Sequence, residues 1–140
     1  MISDKGLEVM AFQSLSNKKF LLGSYLMDLK PSCIPRVLET LILSLETQMI
    51  GISDYFNEIK EKTSKKHYVF LVVSICDIIV DGIQSSIEKI AFVKKSVPKR
   101  SLQINLLIRY RFFEEALRIA NTYSGKKKKN MINLIESNIR

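Results

Sequence analysis

Only three prolines and five glycines interrupt the 140 residues, and this scarcity of breakers constrains the fold more than any motif does. Proline removes a backbone donor, and glycine costs about 1 kcal/mol in a helix interior. Long stretches without either favour helices. "PSCIPRVLETLILSLETQMIGISDYFNEIKEKT" predicts one helix over about 34–62, with Pro35 in the first turn, where its missing N–H costs nothing. Val37, Leu38, Leu41, Ile42, Leu45, Met49, Ile52, Phe56 and Ile59 make its apolar stripe.

A second helix is expected from a cap at Thr63 or Ser64 to about Ser96, before Pro98. Its stripe is Tyr68, Leu71, Val72, Ile75, Ile79, Ile83, Ile87 and Ile90. The β-branched residues of 69–75 offer a strand as the competing reading. Helix is preferred, because the stripe continues well past Asp77. Ser101 caps a further helix over 101–124, and Gly125 stands where a left-handed C-terminal residue is wanted. A last, short helix carries Met131, Ile132, Leu134, Ile135 and Ile139.

Ahead of these, Ser16 caps a helix in which Phe20, Leu21, Tyr25, Leu26 and Leu29 recur at helical spacing before Pro31. Residues 1–15 stay open between helix, with Ser3 as cap, and strand, from the Val9/Ala11 alternation. The expectation is an all-α fold: one domain over 1–140, an antiparallel bundle of five to six helices. At its centre would be a hairpin of 34–62 and 64–96. Short connections favour antiparallel neighbours. No repeat of 20–50 residues is present, although "YRFFEEALRIA" has the small-residue pattern of a helical-repeat helix.

In such a hairpin, Gly51 faces Cys76, and Cys33 lies level with Lys94. That separates the cysteines by about 27 Å, far beyond disulfide reach, so two free thiols are expected. No CxxC pair, signal peptide or membrane-length apolar run is present; "YVFLVVSIC" is too short to span a bilayer. A reducing, cytoplasmic setting is the expectation.

Charge is the strongest functional lead. Residues 1–59 carry five Lys/Arg against seven acids, whereas 60–140 carry seventeen against seven. Candidate binding residues are Lys60, Lys62, Lys65 and Lys66; Lys94, Lys95, Lys99 and Arg100; Arg109 and Arg111; and Lys126, Lys127, Lys128 and Lys129. Up-and-down order would bring the first four and the last four of these to one end of the bundle. Such cations neutralise phosphates without reading sequence. Tyr68, Tyr110, Phe112, Phe113 and Tyr123 lie near them and could stack on bases, although Tyr68 and Phe113 sit at core spacing.

Catalytic constellations are thin. The one histidine, His67, reads as a half-buried ring at a helix start. No dinucleotide fingerprint, Walker loop or HExxH occurs, and no cofactor, metal or small-molecule substrate is implied. Glu58, Glu61, Asp77 and Asp81 loosely resemble the Mg²⁺-holding carboxylates of helical nucleotide pyrophosphatases. Asp77 and Asp81 are spaced four apart rather than three, and Glu58 lies about 12 Å from Asp77 along the axis. "LQINLLIRYRFF" is apolar on more than one face, which suits a docking surface or a central helix equally. The expectation is a non-enzymatic helical interaction protein, a subunit of a larger assembly or a self-associating chain, whose basic half engages an acidic partner. Sequence-nonspecific nucleic-acid binding is the alternative, and the pyrophosphatase-like enzyme a remote one.

Overall fold

The computed structural model describes residues 3–139, and among these it has nine α-helices and no strand. The helices are α1 (Asp4–Ser16), α2 (Phe20–Leu29), α3 (Ile34–Thr47), α4 (Ile52–Lys62), α5 (Lys65–Asp81), α6 (Ser86–Ser96), α7 (Arg100–Arg109), α8 (Phe113–Ala120) and α9 (Gly125–Asn138). The all-α class is as expected, and both open segments are helical. Ser3 caps α1, its hydroxyl accepting from the Gly6 N–H at 3.0 Å. The run 69–75 lies inside α5. Met1 and Ile2, also part of the open 1–15 segment, lie outside the described residues.

The long helices expected over 34–62, 64–96 and 101–124 are each two helices. Two of these breaks share one cause with the α1–α2 turn. Lys18, Met49 and Arg111 adopt φ values of 64°, 58° and 66°. At each, the next residue's N–H reaches back five positions: Lys19 to Ser14, Ile50 to Leu45, and Phe112 to Leu107, at 2.8, 2.9 and 2.7 Å. These are Schellman closures, which satisfy the last carbonyls of a helix and turn the chain. They normally hold glycine, because a Cβ disfavours the left-handed region by about 1–2 kcal/mol. Met49 was assigned to the buried stripe but is 91% exposed at the tip of its turn. Met49→Gly is therefore expected to stabilise the protein by about 1 kcal/mol, read as a denaturant midpoint shift with unchanged slope.

The third break, after Gly82, ends at a side-chain N-cap. The Ser85 hydroxyl accepts from the Glu88 N–H at 3.4 Å, starting α6 afresh. Ile87, placed in the continuing stripe, is 80% exposed. The register of an unbroken hairpin is lost with these breaks, and with it the basis for expecting eight lysines at one end. Gly51 is the exposed N-cap of α4; a Cβ there would meet only Asp54 within 4 Å, not Cys76. Cys33 and Cys76 are nevertheless both buried and both free, as expected.

The helices group into two compact units, Met1–Gly82 and Ile83–Arg140. In the first, α1 packs on α2 and α3, and α5 packs on α2, α3 and α4. Gly23 permits the α1–α2 approach, since a Cβ there would lie 2.5 Å from a Leu15 methyl carbon. Tyr55 of α4 ties in both helices: its hydroxyl donates to the Leu15 carbonyl at 2.8 Å, and its ring meets Phe20 edge-on at 5.5 Å. Lys18 pairs with Glu58 at 2.8 Å, and this contact, helped by Lys62, holds the Glu58 carboxyl below its ordinary range.

α2 departs in part from its expected stripe. Leu21, Tyr25 and Leu29, read as its core-facing stripe, are 54%, 62% and 56% exposed, with Leu22 beside them at 46%. Phe20 and Leu26 of the same stripe are buried as expected, and Gly23, Ser24 and Met27 complete the buried face. In the second unit, α7 packs on α6 and α8, and α8 packs on α9. Leu102, Ile104, Leu106 and Leu107 of α7 are all buried. The apolar excess of "LQINLLIRYRFF" is thus largely internal, and the outward excess lies on α2. Ala116 and Ala120, the small residues of "YRFFEEALRIA", are fully buried on α8.

Candidate functional site

The site is built where α6, α7, α8 and α9 of the second unit turn into one another. Pro98 prevents α6 from running on, because it lacks the N–H a helix interior needs. Gln103 then pins the turn, its amide donating to the Val97 carbonyl at 2.6 Å and to that of Lys94 at 3.3 Å. This anchoring leaves Lys99 as N-cap and Arg100 as first residue of α7, both exposed. After α8, Thr122 donates to the Ile119 carbonyl at 2.6 Å and accepts from the Arg100 guanidinium at 2.7 Å. Gly125, with φ 63°, starts α9, whose first turn carries Lys126, Lys127 and Lys128, followed by Lys129. The left-handed glycine is as expected, but it opens α9 rather than closing the preceding helix, which ends at Ala120.

Tyr123 is the hub. The Arg100 guanidinium carbon lies over its ring at 4.5 Å from the centroid, and the Lys127 ammonium at 4.9 Å. Each cation is attracted by the ring's negative faces, by about 0.5–1 kcal/mol at an exposed site. Two positive charges are thereby held less than about 10 Å apart, against their mutual repulsion. Neither α7 nor α9 has an acidic residue in its first turn or a side-chain cap, so the positive ends of both helix dipoles add to this field. Lys99, Arg100 and Lys126 to Lys129 make no ion pair among the described residues.

The remaining candidates are placed differently. Lys94 and Lys95 are exposed in the last turn of α6, with Lys94 paired to Glu115 at 3.5 Å. Glu115 also pairs with Arg118. Arg109 ends α7, and Arg111 occupies the left-handed turn with its guanidinium 5.2 Å from the Phe113 centroid. In the first unit, Lys60 and Lys62 close α4 and Lys65 and Lys66 open α5, all exposed. There Lys62 is paired to Glu58 at 3.8 Å and Glu61 lies among the lysines, so the charge is mixed.

Of the aromatic residues named from sequence, Tyr68 is buried as expected, and Phe112, Phe113 and Tyr123 are half-buried. Tyr123 was named only as one stacking candidate among five, and Thr122 was missed. No sequence spacing links Arg100 to Tyr123, because they meet through tertiary packing. His67 is half-buried near the start of α5, with Nδ1 3.3 Å from the Ser64 hydroxyl. Among the described residues no three His, Cys, Asp or Glu side chains form a metal-holding group, and Glu58, Glu61, Asp77 and Asp81 do not gather into one. No helix among them is long and apolar enough to cross a membrane. No known family model, curated protein or solved structure matches the chain.

Proposed function

We propose that this chain is a non-enzymatic interaction protein, a subunit of a larger assembly, whose basic second unit engages an acidic partner. The observation that carries the reading is an uncompensated charge. Residues 83–140 contain thirteen Lys/Arg against four acids. Six of those cations, Lys99, Arg100 and Lys126 to Lys129, lack an ionic partner among the described residues. A field of one sign raises the local concentration of an oppositely charged partner and speeds its association. The assembly part of the reading is supported by the outward apolar residues of α2, a kind of surface that contacts often cover.

The test is binding of the full chain to a panel of polyanions of different chemistry: poly-L-glutamate, duplex DNA, and single-stranded DNA and RNA. At about 50 mM salt, at least one class should bind, with affinity falling as salt rises. Binding to none of them overturns the reading.

A further inference from the structure

We infer that the acidic partner is a nucleic acid, gripped through its phosphates by the cations gathered around Tyr123. This rests on the proposed function and specifies its partner.

Three observations point to phosphate rather than to an acidic protein. First, the cluster is preorganised. Arg100 comes from α7 and Lys127 from α9, yet one aromatic ring holds both. The Thr122 hydroxyl takes one of the five guanidinium donors of Arg100, leaving the others for an incoming oxygen. An anion seated there also relieves the repulsion between the two cations, a gain that a lone surface lysine cannot offer.

Second, the surroundings lack what a protein partner needs. Protein interfaces bury apolar or aromatic anchors at their centres and are depleted in lysine. In the second unit the large apolar residues that stand exposed are Ile87, Leu134 and Ile139, none of them between residues 88 and 133. The exposed residues from Asn121 to Asn130 are polar, glycine or lysine. Phosphate contacts require only charge and donors.

Third, the ring that would be free to stack on a base is already engaged by cations. That leaves charge contact to the backbone as the mode of binding, independent of base sequence.

The experiment measures anisotropy of labelled mixed-sequence oligonucleotides, duplex and single-stranded, with the full chain between about 50 and 200 mM salt. Each phosphate contact contributes about 0.9 to the log–log salt slope for duplex and about 0.7 for single strands. Arg100→Gln with Lys127→Gln should lower the slope by about 1.8 for duplex and about 1.4 for single strands, and weaken binding at least tenfold at low salt. Lys60→Gln with Lys62→Gln removes the same charge from the first unit and should change both far less. Tyr123→Leu keeps every cation, so the slope should hold while affinity drops several-fold. Circular dichroism melts confirm that each variant is folded. Wild-type affinity and slope in the Arg100/Lys127 variant, or equal losses in the Lys60/Lys62 control, would overturn the site. Binding to poly-L-glutamate but to no nucleic acid overturns the partner and leaves the proposed function standing. Binding to no polyanion removes both.

Discussion

Between about pH 9 and pH 11 the protein is expected to lose about 4 kcal/mol of stability. Burial pushes the Cys76 thiol far above its ordinary 9.0, with the neighbouring Asp77 charge adding to the shift. Burial likewise pushes the Tyr55 phenol far above 10.0, helped by Glu58. Both side chains are almost wholly inaccessible, at 0% and 2% exposure. In each case the folded state keeps a proton that the unfolded chain releases, so above the ordinary value the folded state binds more protons. Stability is then complete below the ordinary values and falls as pH rises towards the raised ones. Each group costs about 1.4 kcal/mol per pH unit, over two units for Cys76 and one for Tyr55. Tyr68, pushed up to about 12 mainly by burial, steepens the decline. Denaturant titrations at about pH 8, 9, 10 and 11 read the effect, and Cys76→Ala should flatten its lower part. A midpoint that is constant across this range would show that these groups ionise inside the fold.

Tyr55→Ala is expected to cost about 3–5 kcal/mol, on the scale of other large-to-small core changes. The ring fills space between α2 and α4, and its loss removes the edge-on contact with Phe20 as well as buried area. Tyr55→Phe separates the hydroxyl from the ring. It should cost about 1 kcal/mol, because the Leu15 carbonyl keeps a second donor in the Lys18 N–H at 3.1 Å. Chemical denaturation of both variants against wild type gives the two values. A phenylalanine variant as unstable as the alanine variant would assign the effect to the hydrogen bond rather than to packing.

The same stretch of molecule shows how far the sequence could be read. Helical class, the Ser3 cap and the left-handed Gly125 follow from local chemistry, and each appears in the structure; the thiols are free as expected, although the hairpin register from which that was argued is not formed. The helix breaks at Met49 and Arg111 do not follow, because the usual marker is glycine and these turns are closed by hydrogen bonds around other residues. Gly51 comes two residues after the left-handed position, where it reads as an interior glycine. The break before α6 does carry a local marker, Ser85 three residues ahead of Glu88, but it lies inside an isoleucine stripe that keeps helical spacing. On α2 the stripe was right at Phe20 and Leu26 and wrong at Leu21, Tyr25 and Leu29: periodicity identifies a face without saying how much of it a neighbour covers. The candidate cations were found as a list, since charge is visible residue by residue. Their gathering around Tyr123 depends on how α7, α8 and α9 pack, which no local pattern encodes.

The exposed turn at Met49 has a practical use. Cys33 and Cys76 are buried, and burial raises the pKa of both thiols, so little thiolate is available to an alkylating reagent near neutral pH. A cysteine placed at position 49 would stand alone as the reactive thiol. A dye or spin label could then be attached there, on the first unit, without removing either native cysteine.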